Sequence, residues 1–440
     1  MHMCIPVKTS CGAPQSSLPL HGQPQPRTRG RDKIKGASIR EAAFPTHRLS
    51  EVCRRLKEAM MYLRVTKALL AGLLLAALEP ASCKFTSRVR VPDPDKPMTR
   101  DWPCPSAVDI DPCVCESDEY FNLLIDCSEV IDEMELFRVF EASFPFYDIM
   151  ELTIIQDPLD PYHNIRVLQE RVFGRITFER IRITGTKIAE VHEEALVKSH
   201  DYLTYLNLAN NQLKSFPFET LVSYSKLDTL LIDNNNFTYL YSIESASLHT
   251  LSVSGNHNLL FDLDVFTKAP ALTAIYMANI DLDELPPNLF DTLQNIKTIS
   301  LEDNYLKALP ENAFLPVGDT ITQLILNGNL INDIYHDAIK GMSGHGFLSM
   351  VRNKMEYLES TVWLPIFEQA INGSINLAGN PLVCGCDIAW LMLAADDRYL
   401  SVLTETTTCN EGTVVHSLDK QYFVEHCPAV RQEGLEHMKT

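Results

Sequence analysis

The stretch LTYLNLANNQL at residues 203–213 decides the fold of this chain. It follows the template L-x-x-L-x-L-x-x-N-x-L at every position, and so do IKTISLEDNYL at 296–306 and ITQLILNGNLI at 321–331. LDTLLIDNNNF at 227–237 follows it too, with Phe in the closing position. Weaker copies begin at Ile149, Phe178, Leu248, Leu272, His345 and Asn372. The sequence therefore predicts about ten repeats of one structural unit.

The copies keep a nearly constant spacing along the chain. The residues at the Asn position are Asn211, Asn235, Asn256, Ile280, Asn304, Asn329, Asn353 and Asn380, with spacings of 24, 21, 24, 24, 25, 24 and 27. Alternating apolar residues within each copy predict a short strand with one inward face. The Asn side chain is expected to hydrogen-bond backbone groups at the turn that ends the strand. Stacked copies would form a ladder of such bonds.

Several copies continue after the turn with a Leu-Pro pair and then Phe, which is expected to close an outer arc and return apolar side chains to the core. The segments are Leu285-Pro286…Phe290, Leu309-Pro310…Phe314 and the variant Phe216-Pro217…Leu221. Each large apolar side chain that is buried contributes roughly 1.5–3 kcal/mol before entropy is subtracted, so a stack is stable where one unit is not. The predicted fold class is an α/β repeat solenoid, a leucine-rich-repeat horseshoe.

The cysteines predict a lid at each end of this stack. Of 12 cysteines, Cys4, Cys11, Cys53 and Cys83 precede residue 84. The other eight form two groups of four, which are Cys104, Cys113, Cys115 and Cys127, and Cys384, Cys386, Cys409 and Cys427. Such clusters in a secreted chain predict disulfide bonds, and the open ends of a solenoid need caps. A zinc site is the alternative, but each group holds a C-x-C pair rather than the usual C-x-x-C.

The first hundred residues carry a targeting signal. Residues 60–83, MMYLRVTKALLAGLLLAALEPASC, place Arg64 and Lys67 at the start of an apolar run of 68–78, which predicts a signal peptide. The run is shorter than the roughly 20 residues that a membrane span needs. Residues 1–59 are basic, rich in Pro, Ser and Gln and without periodicity, so they are either a disordered leader or a misassigned start. The alternative for 68–78 is an uncleaved anchor.

These features together predict the domain organisation. After the signal peptide we expect a linker at 84–101, an N-terminal cysteine cap at 102–148, the repeats at 149–382, a C-terminal cysteine cap at 383–428 and a polar tail at 429–440.

Charge and motifs exclude several classes of function. Residues 84–440 hold 25 of the 38 Lys and Arg and 52 of the 57 Asp and Glu, a net formal charge of −27, which argues against nucleic acid and anionic membranes as partners. The sequence has no G-x-G-x-x-G, no phosphate-binding G-x-x-x-x-G-K-[ST] and no G-x-S-x-G. His192-Glu193-Glu194 begins like a zinc helix, but Leu196 stands where the second His is needed. We therefore expect no enzyme, no cofactor and no metal.

Residues between the inward positions of each strand are predicted to line the concave face of the horseshoe. The middle positions are Thr153, Arg182, Asn207, Leu231, Ser252, Tyr276, Ser300, Ile325, Ser349 and Asn376. Aromatic and large apolar side chains on an open sheet favour a protein-binding surface. The predicted footprint is Tyr205, Asn207, Leu231, Asp233, Tyr276, Glu302, Gln323, Ile325 and Phe347. An edge, a cap or the convex face is the alternative.

Two sequons predict N-glycosylation, Asn236-Phe-Thr238 and Asn372-Gly-Ser374. Asn236 lies just past a strand, where a glycan reaches solvent. Asn372 stands at a normally inward position. Either Ile371 fills the core there in an irregular strand start, or this site is unused.

Two resemblances narrow the interpretation. NPLVCGCDIAWL at 380–391, with Cys409 and Cys427, resembles the C-terminal cysteine cap of extracellular leucine-rich-repeat proteins. That resemblance implies the pairs Cys384–Cys409 and Cys386–Cys427, with Cys104–Cys115 and Cys113–Cys127 at the other end. WPCPSAVDIDPCVC at 102–115, FPF at 144–146 and CNEGTVVHSLDKQYFVEHC at 409–427 resemble the arthropod family named after the non-catalytic subunit of oplophorus-luciferin 2-monooxygenase.

The family resemblance implies a secreted, non-catalytic chain that recognises an extracellular protein partner, and a separate catalytic subunit is one candidate partner. It supports light emission much less than it supports binding. The alternative functions are the ectodomain of a membrane-anchored receptor and an accessory subunit of a luciferase-like monooxygenase complex.

Overall fold

A computed structural model describes residues 102–427 of the chain. The predicted leader, signal peptide, linker and polar tail lie outside these residues. One sheet of twelve strands dominates the described part, and strands that follow each other in the chain lie side by side. The strands are β1 (Val114–Ser117), β2 (Leu123–Asp126), β3 (Asp148–Ile155), β4 (Thr177–Thr184), β5 (Tyr205–Asn207), β6 (Thr229–Leu231), β7 (Thr250–Ser252), β8 (Ala274–Tyr276), β9 (Thr298–Ser300), β10 (Ile321–Ile325), β11 (Met342–Ser349) and β12 (Ser374–Asn376).

The strand order confirms the repeat solenoid. The hairpin β1–β2 is antiparallel, and every later pair of neighbours, from β2–β3 to β11–β12, is parallel. Strands β3 to β12 are the strands of the ten predicted repeats. A chain can place successive parallel strands side by side only by returning along an outer path each time, which is the course of a solenoid.

The outer path is built from short pieces. Three pairs of two-residue parallel strands lie on it, Val167–Leu168 with Glu190–Val191, Tyr239–Leu240 with Leu260–Phe261, and Ala308–Leu309 with Asp333–Ile334.

The described residues also form short helices, in the repeats and in the caps. The 3₁₀ turns are Val197–Ser199, Phe218–Ser223, Cys386–Ile388, Ala395–Asp397 and Val415–Ser417. The α-helices are α1 (Ala107–Ile110), α2 (Glu133–Phe140), α3 (Ser360–Gln369), α4 (Ala389–Met392) and α5 (Lys420–His426).

The predicted asparagine ladder is present. Asn304 shows the pattern: its Nδ2 donates to the carbonyl of Met277 in the preceding repeat (2.9 Å) and to that of Leu301 in its own (3.1 Å). Its Oδ1 accepts the N–H groups of Ile280 and Leu282, each at 3.0 Å. The equivalent side chains of Asn211, Asn235, Asn256, Asn329, Asn353 and Asn380 are also buried and bridge two repeats. Each ladder residue therefore satisfies buried backbone groups of two repeats at once.

The residue before each ladder position has a left-handed backbone, which the template leaves unspecified. Asn210 (φ 58°), Asn234 (φ 50°), Gly255 (φ 70°) and Asp303 (φ 52°) are examples. Asn, Asp and Gly adopt this conformation at the lowest cost. This requirement explains why the ladder asparagines follow Asn, Gly or Asp, with Arg352 (φ 58°) before Asn353 as the exception.

The outer segments return apolar side chains to the core as predicted. Phe290 and Phe314 of the Leu-Pro…Phe segments are fully buried. Their rings are stacked with centroids 5.8 Å apart, and Phe290 stacks in the same way on Phe266 at 6.1 Å. Aromatic rings at these separations attract each other beyond the area that they bury. A column of phenylalanines thus supports the outer side of three consecutive repeats.

Two repeats depart from the template at their first position. Strand β11 pairs Met342 with Ile321 and then shifts register, so that Met342 is buried and His345 is exposed. In the next repeat Asn372 is exposed, and Ile371 packs against the core instead. The backbones meet closely here, because a Cβ atom on Gly373 would lie 2.0 Å from the carbonyl oxygen of Gly346.

The N-terminal cap closes the first edge of the sheet. Cys104 pairs with Cys115 and Cys113 with Cys127, the pairs that the resemblance implies. The hairpin β1–β2 covers strand β3, and α2 begins at the N-cap Asp132, whose side chain accepts the N–H groups of Met134 and Glu135. An acidic cap of this kind stabilises a helix start. The edge strand of the repeat region is therefore paired and covered rather than open.

The C-terminal cap closes the other edge. Cys384 pairs with Cys409 and Cys386 with Cys427. The segment after α4 runs alongside β12, where the Ile375 N–H donates to the carbonyl of Val402 and the Thr404 N–H donates to that of Ile375. Between residues 102 and 427 no helix has the length and apolar character that a bilayer span requires.

Replacing a ladder asparagine should destabilise the whole array. Asn304→Ala leaves the carbonyl of Met277 and the N–H groups of Ile280 and Leu282 without their partner, whereas the Leu301 carbonyl keeps its bond from Asn329. Each unsatisfied buried group costs about 1–3 kcal/mol. We expect urea unfolding of the purified chain, followed by circular dichroism, to show a loss of about 3 kcal/mol or more. Asn295→Ala, at an exposed position of the same repeat, is the control and should unfold like the unsubstituted chain. Equal midpoints for both variants would contradict a structural role of the ladder.

Candidate binding surface

The register of the sheet arranges the outward side chains in rows that cross the strands. The first row contains Glu151, Arg180, Tyr205, Thr229, Thr250, Ala274, Thr298, Gln323, Phe347 and Ser374. The second row, two residues further along each strand, contains Thr153, Arg182, Asn207, Leu231, Ser252, Tyr276, Ser300, Ile325, Ser349 and Asn376. A third row follows at Asp233, Ser254, Ala278, Glu302 and Asn327.

Large apolar and small polar side chains alternate along the second row. Leu231, Tyr276 and Ile325 are half-buried, while Ser252 and Ser300 between them are buried, with 7% and 2% of their surface exposed. Adjacent strands lie about 4.7–4.9 Å apart, so the large side chains recur roughly every 10 Å. The second row is therefore a corrugated apolar strip, which we call the apolar ridge (Leu231, Tyr276 and Ile325).

The third row is a hydrogen-bonded network within the sheet. Asp233 accepts hydrogen bonds from the Ser252 hydroxyl and from the Ser254 N–H, the latter at 2.9 Å. Glu302 accepts from the Asn327 amide at 2.9 Å and from the Ser300 hydroxyl at 3.3 Å. Two acidic residues of the predicted footprint thus have a structural role, because their oxygens bind groups of the next repeat.

Burial changes the acidity of one of these carboxylates. Burial beside the sheet raises the pKa of Asp233, and the hydrogen bonds from Ser252 and Ser254 oppose this effect only in part. The charged form of Asp233 is therefore disfavoured in the folded chain.

The structure places the nine predicted footprint residues on one face, but over a long distance. Tyr205 lies on β5 and Phe347 on β11, six strands or roughly 29 Å apart. Gln323 is exposed, and the other eight are half-buried. Tyr205 is covered by the guanidinium of Arg180, which lies 4.3 Å from its ring centroid.

Sequence reasoning gave no role to two arginines at the N-terminal end of the face. Arg180 stacks on Tyr205 and pairs with Glu151 at 3.3 Å. Arg182 occupies the second row between Thr153 and Asn207. Their outward direction follows from the strand alternation, so the signal was present in the sequence.

A second exposed apolar surface lies on the N-terminal cap. The ring of Trp102, which is 62% exposed, lies 5.4 Å from that of Phe121 and 5.9 Å from that of Phe146. Within the FPF motif, Phe144 is buried against Phe140, whereas Phe146 faces outward.

The described part of the chain has two small depressions on its surface. The two best-formed depressions, near Phe173 and near Ile366, offer about 0 and 20 Å³, which is room for one water molecule at most. Residues 102–427 contain no cluster of three potential metal ligands. Both sequon residues, Asn236 and Asn372, are exposed.

The fold and its closed ends define a leucine-rich-repeat protein with a disulfide-bonded cap at each end. No family model matches the chain. It is 30% identical over 327 residues to the oplophorus-luciferin 2-monooxygenase non-catalytic subunit of Oplophorus gracilirostris, a match that covers 74% of this chain and 88% of the relative. The chain therefore belongs to the family of that non-catalytic subunit.

Two further proteins are similar to this chain. Podocan-like protein 1 of Homo sapiens is 32% identical over 142 residues, which covers 31% of this chain and 27% of the relative. A chain from the octameric complex of Latrophilin 3, Unc5D and FLRT2 (LRR) superposes with a TM-score of 0.52 at 16% identity and covers 69% of this chain and 97% of its own length. The structural match shows the fold alone.

Replacing Asp233 should make the stability of the protein less dependent on pH. A carboxylate whose folded pKa is raised reduces stability above that pKa, and the loss disappears as the pH falls through it. We expect Asp233→Asn, which keeps an acceptor for Ser252 and Ser254, to raise the urea midpoint at pH 7 and to bring a smaller gain at pH 4. Asp319→Asn, on an exposed loop, controls for the removal of one negative charge. If Asp233→Asn raised the urea midpoint more at pH 4 than at pH 7, the raised pKa of Asp233 would be contradicted.

Proposed function

We propose that this chain is a secreted, non-catalytic binding protein that recognises an extracellular protein partner through its concave face. The apolar ridge carries the proposal, because large apolar side chains stay half-exposed there on an open sheet. The relationship of this chain to a non-catalytic subunit supports a function in binding.

The shape of the face fits a protein partner better than a small molecule. Aromatic and aliphatic anchors surrounded by ordered polar groups are typical of protein interfaces. The third-row network holds its polar groups in place before binding, so little side-chain entropy is lost there when a partner docks. Gln323 and Phe347 extend the same surface toward the C-terminal cap.

Secretion is part of the proposal. Four disulfide bonds are typical of chains that fold in an oxidising compartment. We expect the protein recovered from the medium of expressing cells to begin near Lys84, as read by N-terminal sequencing. Retention of residues 68–78 in a membrane fraction would instead favour an anchored receptor ectodomain. Glycans on Asn236 and Asn372 are proposed as well, and mass spectrometry before and after glycosidase treatment of the same material tests them.

The binding surface can be tested by substitution on the apolar ridge. Affinity capture from extracellular fluid followed by mass spectrometry identifies a partner, whose Kd is then measured by surface plasmon resonance. Tyr276→Ala removes a central anchor and should weaken binding at least tenfold, or about 1.4 kcal/mol. Tyr335→Ala, an exposed tyrosine on the outer path, is the matched control and should leave the Kd unchanged. Unchanged binding by Tyr276→Ala would move the site off the concave face.

A second candidate is an accessory subunit of a luciferase-like monooxygenase complex, which the match over 88% of the Oplophorus gracilirostris subunit favours. In this case the partner is a separate catalytic chain. The purified protein is mixed with a luciferin, alone and with a candidate catalytic chain. Stable co-purification with that chain supports this candidate, and light from this protein alone would overturn the non-catalytic assignment.

A further inference from the structure

The geometry points to a carboxylate-binding site at Arg182 on the concave face, which takes an acidic side chain or a chain terminus of the partner. The inference rests on the proposed function, because it assigns the chemistry of the partner at the N-terminal end of the same face.

Arg182 is a cation without a partner inside the described part of the protein. Its side chain is half-buried in the second row of the sheet. The Nε atom is buried and has no hydrogen-bond partner among residues 102–427. A buried donor without an acceptor reduces stability, so such a group in a native fold calls for an explanation. The Nη atoms of Arg182 also have no partner among residues 102–427, and because they are not enclosed as Nε is, an acceptor on a ligand can reach the guanidinium there.

The neighbouring cation is already paired. Arg180 forms an ion pair with Glu151 at 3.3 Å and stacks on the ring of Tyr205. The nearest carboxylate in the first row is therefore engaged with Arg180. In the second row, the nearest carboxylate toward the N-terminal cap belongs to Asp126, which lies two strands away from Arg182. The Asp126 carboxylate accepts the Ser128 N–H at 2.9 Å.

The groups beside Arg182 add a second donor. Asn207 lies opposite Arg182 on the next strand, and its Oδ1 accepts the Ala209 N–H at 2.9 Å, which fixes the orientation of the amide. The Asn207 Nδ2 therefore points to the Tyr205 hydroxyl, 3.2 Å away, and donates to it. Because that hydroxyl oxygen is an acceptor here, its own hydrogen is free to donate.

A guanidinium and a phenolic hydroxyl that both donate are complementary to a carboxylate. Arginine binds carboxylates through two parallel N–H···O bonds, and these charge-assisted bonds are stronger than neutral ones. The remainder of the face bears the carboxylates of Asp233 and Glu302 instead. An acidic group of the partner is therefore directed to the N-terminal end, which orients the partner along the apolar ridge.

Peptide selection tests the site even while the partner is unidentified. A random twelve-residue display library is selected on the full secreted chain. We expect the enriched peptides to share an Asp or Glu. Synthetic copies with an Asp→Asn or Glu→Gln exchange should bind about ten- to a hundredfold more weakly. Copies with a free or an amidated C-terminus distinguish a side-chain carboxylate from a terminal one.

The protein variants complete the test. Arg182→Gln should bind the acidic and amide peptides equally, whereas Arg175→Gln, an exposed arginine just before β4, should keep the preference for the acidic peptide. A preference that survives Arg182→Gln, enriched peptides without a carboxylate, or no enrichment at all would overturn the inference. If peptides without a carboxylate bind and Tyr276→Ala weakens them, the proposed function stands and only the site at Arg182 fails. If the binding of these peptides changes with neither Arg182→Gln nor Tyr276→Ala, both the site at Arg182 and the proposed function fail.

Discussion

The structure depends on satisfying the backbone groups that every repeat buries when its strand ends in a turn. Each turn places carbonyl and N–H groups inside the stack, out of reach of water, where an unpaired group is costly. Some groups of the turn still bond to the next repeat, as the Asp303 N–H does to the carbonyl of Asn327, but others have only a side chain as their partner. The ladder asparagine solves this because its amide has donors and an acceptor, and in Asn304 they reach groups of two repeats. The same side chain thus closes one unit and joins it to its neighbour.

This constraint explains the irregular rung of the ladder. Ile280 stands in the ladder position and is fully buried, but it has no polar side chain to offer. In the regular rungs a ladder asparagine accepts the N–H two residues past the preceding ladder position, and at this rung the Asp281 carboxylate accepts that group, the Asn258 N–H, at 3.1 Å. The spacing of the repeats is unchanged there, because strand pairing and the apolar core still fix the position of each unit.

Because the inward residues are committed to the core and the ladder, the side chains of the sheet that remain available for contacts are those of the outward rows. These rows differ in how many of their side chains are already hydrogen-bonded within the sheet. The third row is bound into the sheet through Asp233, Glu302 and Asn327. The second row keeps half-exposed apolar side chains in its middle and, near its start, an arginine whose Nε has no acceptor among residues 102–427. A rigid scaffold with free side chains on one face suits a protein that binds others, which agrees with its kinship to a non-catalytic subunit.

The sequence by itself determined the repeat, its spacing, the inward leucines, the asparagine ladder and the place of both caps. These features are local, since strand alternation and a turn of fixed length decide which way each residue points. The sequence also placed Tyr205, Asp233 and Glu302 on the outward face. Only the tertiary structure decided that Asp233 and Glu302 hold neighbouring repeats together, that Arg180 covers Tyr205, and that the Arg182 Nε lacks an acceptor within the described residues. Each of these outcomes depends on which side chains of adjacent strands meet about 5 Å apart, and those residues are roughly twenty or more positions apart in the chain.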